Sequence, residues 1–273
     1  MPPSETTPES SKKDPMDFSG AVVEPKPAAT IILIRDGDQG IEVLLLRKAS
    51  GEHFAGGAVV FPGGKVSPED EAYSGGIGED RDEFSTLKIA AIRETHEECG
   101  IVLARRPGGI GLMTAEEAAA CQAAAPEIPF LELAAAAPFE PAADQLVRFA
   151  HWVTPPGRPK RFDTHFFLAA GPADQMFAEV DGYEIVKARW KRPADVFDAM
   201  HAGELKLVLP TMLNLQKLTN WPTAEAALAA ARTANVVRVM PKRIETDDGP
   251  QLVIPEEAGY GVTTIPRTYL RSA

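Results

Sequence analysis

The pattern of apolar and polar positions changes period twice along the chain. Residues 29–36 (ATIILIRD) and 41–49 (IEVLLLRKA) are nearly continuous apolar runs on either side of an Asp-Gly turn, and a third run follows at 58–64 (AVVFPGG). Runs of this kind are expected of strands covered on both faces. Residues 67–83 are acidic, glycine-containing and poor in apolar side chains, which reads as an exposed loop. A helical period then begins. Leu87, Ile89, Ala90, Ala91, Ile92 and Cys99 form its buried side, Ser85 is the expected N-cap, and Gly100 stands where a helix stops. Residues 114–137 are alanine-rich and open with Thr114 and Glu117 at capping-box spacing, which predicts a helical insertion.

Strands return at 145–155, 162–171 and 184–192, followed by helices at 193–201, 210–219 and 224–232. The last forty residues are weakly patterned, with a strand pair expected around VVRVM and QLVIP. The first 27 residues are rich in Pro, Ser, Thr and charge and read as a disordered tail. The resulting plan is a tail (1–27), one α/β domain (28–235) with an insertion at about 112–143, and an extension (236–273) packed on the domain.

Composition narrows the function. A formal charge of -11 disfavours attraction to nucleic-acid backbone or anionic membrane. Two cysteines, Cys99 and Cys121, make a poor disulfide framework. No apolar run approaches the ~20 residues of a membrane-spanning helix, and the opening residues lack the apolar stretch of a secretory signal. The expected location is cytoplasmic, with a small molecule as partner rather than nucleic acid or membrane. A homodimer stays open.

The chemistry concentrates on the first helix. Glu94, Glu97 and Glu98 stand at i, i+3 and i+4, so their carboxylates project from one side and repel unless a cation compensates. Hard divalent ions bind oxygen donors of this type. A solvated glutamate face is the ordinary alternative. The glycine pair Gly63-Gly64, directly after an apolar strand, permits close approach of the backbone and favours the chemical reading.

Taken together these segments resemble the Nudix hydrolases, whose box reads G-x5-E-x7-R-E-U-x-E-E-x-G-U with U aliphatic. Gly64, Arg93, Glu94, Glu97, Glu98, Gly100 and Ile101 match it; Asp70 replaces the first Glu, with Glu69 one place early, and Thr95 replaces an aliphatic residue. Twenty-two residues separate Asp70 from Arg93 where the box has seven. A lengthened box, with HWVTPPGRPKRFDTHFFLA further on, is similar to the branch containing peroxisomal coenzyme A diphosphatases and their bacterial relatives.

The resemblance implies a Nudix-type α/β/α sandwich with a mixed sheet and an extra helical insertion. It implies Mg2+ or Mn2+ held by Glu94, Glu97, Glu98 and the Gly64 carbonyl, with Glu94 as the proton acceptor. Arg93 joins this machinery by orienting Glu97. The substrate implied is coenzyme A or acyl-coenzyme A. ADP-ribose or another nucleoside diphosphate derivative is the alternative, and a Nudix-fold module that binds without hydrolysis is a third reading.

Other residues attract weaker assignments. Glu184 precedes a strand and is a candidate extra carboxylate; Arg47, Lys65 and Arg161, with Arg158 and Lys160 behind them, are candidates to counter substrate phosphates. His96 is expected to be an ordinary helix-surface histidine. Phe54, Phe61 and Trp152 are candidates to stack on a base, with core packing the default for Phe61, and the 162–164 turn is a candidate to shape the pocket.

Overall fold

The computed structural model describes residues 16–49, 56–75, 81–124, 128–136, 139–175 and 185–267. Strands β1 (Lys26–Gly37) and β2 (Gly40–Lys48) form a hairpin, and β3 (Val59–Val60) and β4 (Gly63–Lys65) follow. Helices α1 (Pro68–Gly75) and α2 (Ser85–Cys99) come next. The segment between α2 and the next long strand carries β5 (Ala104–Arg105), α3 (Ala115–Ala124), α4 (Phe130–Ala136) and β6 (Glu140–Pro141), with β5 and β6 paired. Then come β7 (Val147–Val153), β8 (Phe162–Ala170), β9 (Ile185–Lys191), α5 (Pro193–His201), α6 (Leu209–Leu218) and α7 (Ala224–Thr233). Four short strands follow among the described residues: β10 (Arg238–Val239), β11 (Lys242–Thr246), β12 (Gly249–Val253) and β13 (Thr264–Pro266).

The main sheet runs β10-β7-β8-β1-β2-β3, with β4 also on β1 and β9 also on β2. It is mixed: β1 is parallel to β8 and antiparallel to β2 and β4. The continuous apolar runs have a direct cause here. Successive strand side chains point to opposite faces. Ile31, Leu33, Leu44, Leu46 and Phe167 pack under Ile89, Ala90 and Ile92 of α2 and Phe130 and Leu133 of α4. Ile32, Ile34, Val43, Leu45 and Leu168 pack on the other face with Met212, Leu213 and Leu215 of α6 and Ala227 and Leu228 of α7. An α/β/α sandwich follows, as expected. No helix among the described residues is long and apolar enough to cross a membrane.

The capping box forms as its spacing requires: Thr114 N–H donates to Glu117 at 2.9 Å, and Glu117 N–H donates to Thr114 Oγ1 at 3.2 Å. Gly100 ends α2 in the left-handed region (φ 69°), donating its N–H to the His96 carbonyl. Three expectations need correction. The 67–83 stretch is not simply a loop, because α1 lies within it and buries Asp70 and Ser74. Ser85 is the first residue of α2 rather than its N-cap; Asp82 accepts from Phe84 N–H and Ser85 Oγ there. Part of the expected tail packs on the domain, since Met16 is fully buried in the core and its carbonyl accepts from Arg243 at 3.3 Å.

The C-terminal strands also differ from the expected pair. β10 extends the main sheet beside β7, while β12 pairs with β11 and β13 in a separate sheet. That extension is held to the domain by a buried chain in which Trp152 Nε1 donates to Tyr260 Oη and Tyr260 donates to Asn214 Oδ1, both at 2.8 Å.

Candidate active site on helix α2

Arg93 is the hub. Its Nε and Nη2 donate to the two carboxylate oxygens of Asp70 at 2.8 and 2.9 Å, a bidentate pair in which Asp70 is wholly buried. Its Nη1 donates to Glu94 at 3.0 Å and Glu97 at 2.7 Å, and Nη2 also reaches the Lys65 carbonyl at 3.1 Å. Every nitrogen of the guanidinium is therefore engaged by protein. Burial opposes its charge, but Asp70, Glu94 and Glu97 more than offset that, so its pKa is raised. Arg93 orients carboxylates. Asp70, one carbon shorter than the Glu of the box, reaches it because α1 presses that residue against α2.

Glu94 lies in a notch that glycine creates: a Cβ on Gly64 would come within 2.4 Å of its carboxylate. Burial there raises the Glu94 pKa, with Arg93 working in the opposite direction. Glu98 is 6% exposed; its Oε2 accepts from Gly63 N–H at 2.8 Å, and its Oε1 lies 3.8 Å from Lys48 Nζ. Thr95, at the aliphatic position of the box, is buried, with its hydroxyl satisfied by the Ala91 carbonyl at 2.7 Å. Burial pushes the free Cys99 thiol up to about 12, which leaves it chemically quiet.

The carboxylates are thus divided, Glu94 and Glu97 facing Arg93 and Glu98 facing Lys48 and the glycine turn. Among the described residues they do not supply three donors within 4.8 Å of one another; His151, Asp163 and His165 do. Like charges separate when different cations neutralise them. The donor set still fits a hard divalent ion, since Glu94 and Glu98 both lie against the Gly63–Gly64 backbone.

Several sequence candidates lie elsewhere. Arg161 is buried, donating to the carbonyls of Thr154 at 2.9 Å and Val23 at 2.5 Å, so it anchors the N-terminal segment instead of facing a phosphate. Arg47 alternates away from Leu44 and Leu46, the β2 residues under α2. The second cation beside the acids, after Arg93, is Lys48, which sequence reasoning missed. Lys65 contributes its carbonyl to Arg93, while its side chain is exposed.

Trp152 is committed to Tyr260, and Phe61 packs edge-on against Phe166 in the core. His96 is not a solvated surface residue: it stacks on Phe130 of α4 at 4.8 Å, and burial lowers its pKa. Residues 162–164 are strand, not turn. Glu184 and Phe54 lie outside the described residues.

A mixed sheet thus carries an acid-lined helix against a glycine turn, with an arginine knotting the acids together. The chain belongs to the Nudix hydrolase family. The NUDT19 Nudix domain matches residues 80–218 and the NUDIX domain matches residues 24–120. A NUDIX hydrolase from Alicyclobacillus acidocaldarius superposes with a TM-score of 0.66 at 33% identity, covering 77% of this chain and 97% of that one. A putative nudix hydrolase 7 of Caenorhabditis elegans is 27% identical over 72% of this chain and 63% of its own length. The human acyl-coenzyme A diphosphatase NUDT19 is 27% identical over 67% of this chain and 62% of its own length. The match therefore spans less than two thirds of those curated relatives.

Proposed function

We propose that the protein is a Mg2+- or Mn2+-dependent diphosphatase that cleaves coenzyme A or acyl-coenzyme A into 3',5'-ADP and a 4'-phosphopantetheine product. The observation that carries this reading is the seating of Glu94 in the Gly64 notch beside Glu98 on the Gly63 amide. The likeness to a relative named acyl-coenzyme A diphosphatase supports the choice of substrate. Glu94, Glu97, Glu98 and the Gly64 carbonyl would hold the ion, which when bound supplies charge neutralisation for the diphosphate and acidifies a water.

The protein's own groups then have distinct duties. Burial makes Glu94 a stronger proton acceptor than a surface carboxylate, suited to take the proton from the attacking water. That water's oxygen bonds to one phosphorus, the bond from that phosphorus to the bridging oxygen breaks, and the bridging oxygen leaves on the other phosphate. Arg93 holds Glu94 and Glu97 in place, and Lys48 balances Glu98. We also infer a cytoplasmic location, which the free thiol of Cys99 supports.

Mass spectrometry of products from a mixed panel containing coenzyme A, an acyl-coenzyme A and ADP-ribose, with Mg2+, tests the reading. Release of 3',5'-ADP from the coenzyme A compounds is expected. Turnover of ADP-ribose with the coenzyme A compounds untouched would replace this substrate with the nucleoside diphosphate alternative.

A further inference from the structure

The same face of the sheet carries a second polar cluster, apart from the carboxylates of α2. Gly64, Ala29, His165 and His151 lie in one cross-strand row through β4, β1, β8 and β7. His165 is two strand spacings, roughly 10 Å, from the glycine of the acid site. It shares strand parity with Phe167, which packs under α2, and Phe84 at the start of α2 lies 5.6 Å from its ring. Asp163, two residues earlier on β8, falls on the same face.

These three side chains converge. The His151 and His165 rings stack at 3.9 Å and 20°, and both Nε2 atoms point to one oxygen, Asp163 Oδ1, at 2.5 Å from His151 and 4.0 Å from His165. One donor atom from each of the three lies within 4.8 Å of the others. The histidine side chains are 13% and 14% exposed and that of Asp163 is 31% exposed, so the cluster is sheltered yet open to solvent on the carboxylate side. Nδ1 of His165 is enclosed and has no hydrogen-bond partner, a cost left uncompensated within the protein.

We propose that His151, His165 and Asp163 form a binding site for a transition-metal cation of the Zn2+ class, separate from the carboxylate site. Two imidazoles and one carboxylate are the donor set of borderline ions rather than of Mg2+. Three protein ligands leave a coordination position for water or a ligand oxygen. The site stands independently of the diphosphatase reading, since it shares no residue with it.

The test uses the full chain stripped with a chelator and titrated with Zn2+ in excess Mg2+, alongside Co2+ absorption. One Zn2+ per chain is expected, with a Co2+ visible spectrum typical of nitrogen ligation. His165→Asn and His151→Asn should each weaken Zn2+ at least tenfold, with Asp163→Asn also weaker, while Glu97→Gln keeps wild-type affinity. Thermal melting with chelator present checks that the variants fold. Absence of bound Zn2+ and of the Co2+ spectrum in the wild type would overturn the proposal, whatever the variants do. So would wild-type Zn2+ affinity in both folded histidine variants.

Discussion

Two polar clusters share one face of the sheet and are built in opposite ways. Around α2, four carboxylates surround only two cations, Arg93 and Lys48, and the positions come from one helix and the segments pressed against it. On β7 and β8, two imidazoles and a carboxylate meet through cross-strand register alone. The first cluster stores repulsion and holds it with an arginine. The second carries little charge and presents lone pairs. Hard, doubly charged ions suit the first and borderline ions the second.

The comparison breaks most severely at Arg93. Arg93→Ala would leave the wholly buried Asp70 without its bidentate partner, and loss of one member of such a pair typically costs about 3–5 kcal/mol. Urea unfolding should show that loss, whereas a change under about 1 kcal/mol would mean that the cluster is not held in this way.

Gly64→Ala should separate geometry from stability. The added methyl group displaces the Glu94 carboxylate, the movable end of a flexible side chain, so turnover should fall at least about tenfold, equivalent to ~1.4 kcal/mol. Folding stability should change by less than about 1 kcal/mol. Equal turnover in the two proteins would remove Glu94 from the site.

The smallest effect concerns pH. Because the folded pKa of Glu94 is raised, its contribution to stability is present below its unfolded value and is lost as pH rises through the folded value. Ionised Glu94 is thus a net cost near neutrality. In the metal-free protein, Glu94→Gln should raise the melting temperature at about pH 7 by the equivalent of less than ~1 kcal/mol, and the gain should vanish near pH 4. A Gln variant less stable at neutral pH would show that the Arg93 contact prevails.

What could be read from sequence follows the same division. Helix spacing is local, so Glu94, Glu97 and Glu98, the Gly100 stop and the Thr114–Glu117 box were visible as patterns. The α1 helix was hidden because PEDEAYSG carries no apolar stripe; Asp70–Arg93 and the 2.7 Å contact of the Ser74 and Thr86 hydroxyls bind it to α2. Lys48 was available from strand alternation, since Leu44, Leu46 and Lys48 follow at steps of two. The His151–His165 pairing depends on the register of β7 with β8, including a bulge between Arg148 and Ala150, and no local pattern encodes it. Order at Met16 likewise depends on a core residue far from its neighbours in sequence.

The central claim is that the α2 carboxylates perform the hydrolysis. Its most direct test is Mg2+-dependent turnover by Glu98→Gln of whichever panel diphosphate the wild type cleaves. Gln keeps an oxygen to accept from Gly63 N–H, so the fold should persist by circular dichroism while turnover falls at least about 100-fold. Turnover equal to wild type in the folded variant would contradict the account.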